Sequence, residues 1–189
     1  GELGAQGLNA YIFALITLDS ESYTVPDGSR YTRTGIIKEI LAAEEPGGGF
    51  GLDKGAFDID ITAMALQALA PYCGSQNALS VGISPGEISR TVDRALARLA
   101  AVMKENCTFC SYGAENTEST AQVIIALCSL GIDPRTDERF MRGGKNIVDG
   151  MQSFLLPGSV YRLCERFGRK PYVHGAGNAC AYRTVQSGQ

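Results

Sequence analysis

The sequence predicts an all-α chain of helical hairpin repeats stacked side by side into an α/α toroid, and three observations carry that expectation. A motif recurs: "DIDITAMALQALA" from Asp58 and "NTESTAQVIIALC" from Asn116 share their polar start, their Thr-Ala pair and their Ala-Leu pair. Each copy follows a Gly-rich lead-in, "PGGGFGLDKGA" from Pro46 and "CTFCSYGAEN" from Cys107, and ends in a turn-forming string. Between the copies lie amphipathic strings with one apolar stripe and one charged face. A helix apolar nearly all round must be covered on most sides, and a helix charged on one side faces water. Alternating the two kinds gives two layers, the inner apolar and the outer charged.

Taken in order, the first inner helix is "AQGLNAYIFALITLD" from Ala5. Matching its Ala14-Leu15 to Ala68-Leu69 sets Gln6 level with Asp60. "LDSESYTVPDG" ends it, and "TRTGIIKEILAAEE" from Thr32 follows as the first outer helix. The second inner helix starts at Asp58 and stops at "PYCGSQN". The second outer helix, "EISRTVDRALARLAAVMKEN" from Glu87, spaces Ile88, Val92, Leu96, Leu99 and Val102 by three or four, with Arg90, Asp93, Arg94, Arg98 and Lys104 between them. A third inner helix starts at Asn116 and stops at "LGIDPRTD". "DERFMRGGKNIVDGMQSFLL" from Asp137 reads as a third outer helix kinked at "MRGGKN".

The repeats thus fill residues 1–156, and residues 157–189 form an irregular C-terminal segment without periodicity, rich in Arg, Cys and Gly. A slip of reading frame in the gene accounts for that burst, as does a plain irregular tail.

Composition sets outer bounds. The net charge of −3, spread over both signs in 189 residues, leaves no basic stripe for nucleic acid. The apolar runs "AMALQALA" and "VIIAL" are too short to span a membrane. Six cysteines are too few for a disulfide scaffold of this length, and Cys73 and Cys128, at the ends of apolar runs, read as small core residues.

The strings "GLNAYIFALITLDS", "GGGFGLDKGAFDIDITAMALQALAPY" and "ENTESTAQVIIALCSLGIDPRTDERF" resemble the prenyltransferase and squalene-cyclase type repeat domain of bacterial cell-surface proteins, related to the toroid of transcobalamin and intrinsic factor. The resemblance implies an α6/α6 toroid whose inner-helix starts surround a cavity, of which this chain holds about half, truncated on its N-terminal side. It further implies an extracellular or cell-surface location and a non-catalytic module that binds a small molecule, such as a cobalamin or an isoprenoid, or a protein. The open edge of a half ring invites a homodimer, and a purely structural interaction module is a further alternative.

Two kinds of chemistry are tested by the residues. Class II terpene cyclases of this repeat type protonate their substrate with the middle acid of an Asp-x-Asp-Asp-Thr-Ala motif, the place Asp60 holds here, with Ile61 replacing the following acid. That reading needs a buried, protonated carboxyl and a cavity rich in aromatic rings, and the chain has no Trp. Capping explains more: Asp58 and Asn116, Asp60 and Glu118, and Thr62 and Thr120 coincide between copies, and a helix start tolerates that exchange. The ligand or cavity-lining candidates are therefore Gln6, Asn9, Asp58, Asp60, Thr62, Asn116, Glu118 and Gln122, with capping and helix contacts as their structural role. For metal, Cys107 and Cys110 have ligand-like spacing, and Cys164, His174 and Cys180 complete a four-ligand set on paper. A local redox or core pair is the simpler reading, and no cofactor is expected.

Overall fold

The structure, a computed structural model, describes residues 2–111, 113–156 and 160–161. It is mostly helical: α1 spans Asn9–Ser20, α2 Arg33–Ala42, α3 Ile59–Leu69, a short α4 Gln76–Ser80, α5 Pro85–Val102, α6 Thr117–Ser129 and a short α7 Ile147–Gln152. Two-stranded antiparallel hairpins punctuate them: β1 (Phe109–Ser111) with β2 (Ala114–Asn116), β3 (Met141–Arg142) with β4 (Lys145–Asn146), and β5 (Leu155–Leu156) with β6 (Val160–Tyr161).

Local chemistry sets the helix ends. Thr32 caps α2 by accepting the Gly35 N–H at 3.1 Å, and Asn146 with Asp149 forms a capping box on α7. Pro85 opens α5, where its missing N–H costs nothing. Gly131, at φ +72°, closes α6 with two bonds, Gly131 N–H to Cys128 and Ile132 N–H to Leu127, a Schellman motif.

The helices α1, α3 and α6 form one row, with α2 packed on α1 and α5 on α3. At one end of the row, Tyr72 beyond α3 donates its hydroxyl to Asp19 in the last turn of α1 at 2.8 Å, while Arg33 at the start of α2 donates to Asp19 at 2.8 Å and to the Leu18 carbonyl. Midway along, Gln67 Nε2 donates to Gln122 Oε1 at 2.9 Å, and at the other end Ser119 of α6 faces Asp60 of α3. Those contacts make the three helices parallel, with their N-termini on one rim.

The core lies between the row and its outer helices. Ile36, Ile37 and Ile40 of α2 and Ile88, Val92, Leu96 and Leu99 of α5 meet Leu66, Leu69, Ala63 and Ala65 of α3. Val102 is half-buried at the end of the α5 stripe. Glu44, just past α2, binds Arg94 of α5 through two 2.6 Å bonds and accepts the Thr91 hydroxyl. The Gly47–Gly49 loop passes so close to α5 that a side chain at Gly48, which has φ +91°, would strike the Arg94 carbonyl.

Three expectations are corrected. The helix expected from Asp137 does not form: Glu138–Phe140 is a 3-10 turn, "MRGGKN" is the β3–β4 hairpin, and only α7 remains helical. Gly143 and Gly144 have positive φ, as a two-residue turn of mirror type demands, and a Gly pair weakens a helix interior. Cys128 is exposed on α6 and Cys73 is half-buried, so neither is a closed core residue. The readings that fall on Cys164, His174, Cys180 and the rest of 162–189 lie outside the described residues.

Candidate functional site

The rim where α1, α3 and α6 begin collects most of the candidate residues, in distinct roles. Asp58 is the N-cap of α3, accepting the Ile61 N–H at 2.9 Å, and Asn116 is the N-cap of α6, accepting the Ser119 N–H at 2.7 Å. Thr62 is fully buried: its hydroxyl accepts the Phe50 N–H at 2.9 Å and donates to the Phe50 carbonyl at 3.0 Å. Thr120 likewise accepts the Phe109 N–H at 3.2 Å, and donates to the Asn116 carbonyl. Each repeat therefore ties a buried Phe of the lead-in to a Thr one turn into its inner helix. Phe140, also fully buried, stands before the β3–β4 hairpin and its Asn146 cap, so the Phe-turn-cap order occurs a third time.

Gln6 is exposed in the turns before α1, outside the helix, because α1 begins only at Asn9 and is fixed there by the Leu8 N–H on the Leu52 carbonyl. Asn9 is half-buried, and its Oδ1 is buried with no hydrogen-bond partner.

Asp60, the second residue of α3, is half-buried, and its Oδ1 also lacks a hydrogen bond. Burial pushes its carboxyl above the usual carboxylate range; the nearby Ser119 hydroxyl works against this, and the Asp58 and Glu118 carboxylates add to it. Glu118 is exposed at the corresponding position of α6, and Gln122 lies one turn further, half-buried.

Below this rim the row presents a face that the sequence candidates largely missed. In α3 the half-exposed residues are Asp60, Met64 and Gln67; in α6 Glu118 and Ile125 are exposed and Gln122 is half-exposed; in α1, Phe13 is the most open apolar side chain. Phe13 and Ile125 are 52% and 48% exposed. Extending the two repeat alignments sets Phe13, Gln67 and Ile125 at one position, which is the signal that finds them. None of α1, α3 and α6 carries Lys or Arg, while α2 and α5 together hold Arg33, Lys38, Arg90, Arg94 and Arg98.

Two clefts are formed elsewhere. One of about 300 Å³ opens between α2 and α5 beside Lys38, Leu41, Glu44, Arg90 and Arg94, and one of about 160 Å³ lies among Leu8, Tyr11, Glu39, Leu52 and Lys54. Neither is lined by Asp60 or Glu118.

Cys107 is buried at φ +63°, its Sγ within 3.4 Å of the Lys145 carbonyl and packed below α7. It and half-buried Cys110 are free thiols, and among the described residues no group of three His, Cys, Asp or Glu side chains is placed to hold a metal. No helix among them is long and apolar enough to cross a membrane.

No family model, curated protein or solved structure matches the chain.

Proposed function

We propose that the chain is a non-catalytic binding module whose repeats are part of an α/α toroid, and that it engages its partner through the free face of α1, α3 and α6. One observation carries the reading: α1 and α6, which carry no Lys or Arg, leave Phe13 and Ile125 half open where α2 and α5 do not cover them. Asp58 and Asn116 are committed to capping α3 and α6, and Thr62 and Thr120 to holding the lead-in loops. That is the work of a scaffold. A cell-surface setting belongs to the same proposal and rests on the sequence resemblance.

Native mass spectrometry of the purified chain, alone and with cobalamins or isoprenoid diphosphates, tests the proposal. A second copy or an added ligand, retained by the wild type and lost in Phe13→Ser with Ile125→Ser, is the expected result. Equal retention by both proteins places binding elsewhere.

One observation favours a second reading, a cyclase-type proton donor: Asp60 has a buried, unbonded oxygen and a carboxyl that burial holds protonated to higher pH than usual. Turnover of a polyprene substrate, abolished by Asp60→Asn with stability retained, would establish it.

A further inference from the structure

We infer that the two flanks of the α1–α3–α6 row are complementary, and that a second copy of the chain docks its α1 flank, Ala10, Ala14 and Thr17, on the α6 flank, Ala121, Ile124 and Cys128. This inference rests on the toroid reading proposed above and names the partner and the contact. Each copy supplies the three row helices, so two copies joined twice in this way close one ring of six.

Helical geometry locates the flanks. In α6, Ser119 and Gln122 look toward α3, where Asp60 and Gln67 meet them. Ala121 and Ile124 stand two residues further on, roughly 200° around the helix, so they point away from α3, and Cys128 continues their stripe. In α1, the buried Ile12 and Asp19, which accepts the Tyr72 hydroxyl, mark the side toward α3. Ala10, Ala14 and Thr17 each lie two residues from one of that pair and so occupy the far side.

Burial shows what each flank lacks. Ala63 and Leu66 of α3 are fully buried, whereas their repeat equivalents Ala121 and Ile124 are half-buried and Cys128 is exposed. Ala68 of α3 and Ala126 of α6 are also closed, whereas their equivalent in α1, Ala14, is half-buried. The middle helix has an inner helix on both sides and is closed at both positions; α1 and α6 have one such neighbour and are each open at one. All six flank residues are uncharged, and five are small.

The α3–α6 contact is the template for the missing one. Ala14 holds in α1 the place that Ala126 holds in α6, so α1 of a second copy offers α6 the kind of surface that α6 offers α3. One step along the row, the Gln67–Gln122 pair becomes Ile125 against Ala10 of the second copy, an apolar pair in place of a polar one. Such a contact joins unlike surfaces, so it repeats until the rotation closes, and three of six inner helices per copy close it at two copies.

The test is the mass of the full chain in solution, by light scattering and native mass spectrometry, in reducing buffer so that no disulfide through the exposed Cys128 supplies the dimer. The wild type is expected to be a dimer. Thr17→Arg and Cys128→Glu, at exposed positions on opposite flanks, are each expected to give a folded monomer by circular dichroism. The two changes together, which set Arg against Glu at every contact, are expected to restore the dimer. A contact of like with like predicts no such rescue, so two monomeric single variants without rescue overturn the pairing of α1 with α6. A dimer indifferent to both single changes overturns the flanks, and a ladder of larger assemblies overturns the closed ring. A wild type that stays monomeric overturns the second copy; if that monomer retains a cobalamin or an isoprenoid diphosphate through Phe13 and Ile125, the binding face proposed above still stands.

Discussion

The Thr62 hydroxyl and the backbone of Phe50 exchange two hydrogen bonds, 2.9 Å from the Phe50 N–H and 3.0 Å to its carbonyl, in a site closed to water. This pair locks the Gly-rich loop against α3, and with Thr120 and Phe109 doing the same in the next repeat it sets the rim on which Asp58 and Asp60 stand. Replacing Thr62 with Val keeps the volume and strands the Phe50 N–H, while the Phe50 carbonyl keeps the Asp58 N–H as its donor at 2.9 Å. The expected loss is about 1–3 kcal/mol in urea unfolding, and Thr120→Val, which removes the hydroxyl that accepts the Phe109 N–H, is expected to cost a similar amount.

Asp58 and Asn116 are caps, and caps have known worth. Asp58→Ala and Asn116→Ala are each expected to cost about 0.5–2 kcal/mol in the same assay, while Asp58→Asn costs little because Asn caps as well as Asp. A loss confined to ligand binding, with unfolding unchanged, would assign these residues to the surface instead.

Asp60 predicts a pH dependence of definite sign. Its folded carboxyl binds a proton more tightly than the unfolded chain, whose value is near 3.8, so the folded state holds more protons between the two values. The contribution of Asp60 to stability is then complete below the unfolded value and lost as pH rises through the folded one. Asp60→Asn removes that dependence: relative to the variant, the wild type is expected to gain stability as pH falls from 7 toward 4. Urea midpoints measured across that range check it, and a wild type that loses ground to the variant on acidification reverses the sign.

Tyr72 joins α3 to α1 through Asp19, and it is almost fully buried. Its phenol is pushed well up by burial and by the Asp19 carboxylate, so it stays a donor at all ordinary pH. Tyr72→Phe deletes one hydrogen bond to a charged group and is expected to cost about 1.5–3 kcal/mol by thermal or urea unfolding.

Much of this fold is legible in the residues. The copies starting at Asp58 and Asn116 become the parallel helices α3 and α6 because the same apolar pattern recurs in both, and the caps are where the polar starts put them. The charged stripe from Glu87 becomes α5 because its apolar spacing is strict. The failure at Asp137 has a local cause: Ile147, Val148 and Met151 carry helical spacing, and the Gly143-Gly144 pair that turns the chain into a hairpin is invisible to periodicity. Read beside Phe50 and Phe109, the string from Phe140 to Asn146 is a third lead-in.

The site was less legible. Residue type drew attention to Asp60, Thr62 and Glu118, yet Thr62 is a closed structural residue and the open positions are Phe13, Gln67 and Ile125. An apolar residue on an apolar helix gives no local sign of which of its sides stays uncovered; that depends on where α2 and α5 pack.

The most direct measurement is unfolding and native mass spectrometry run side by side on the wild type and on Phe13→Ser with Ile125→Ser. Half-exposed side chains that serve binding should be dispensable to the fold, so stability is predicted to stay within about 0.5 kcal/mol while partner or ligand retention is lost. A variant that unfolds by several kcal/mol, or one that keeps its partner, would contradict a binding role for the face of α1, α3 and α6.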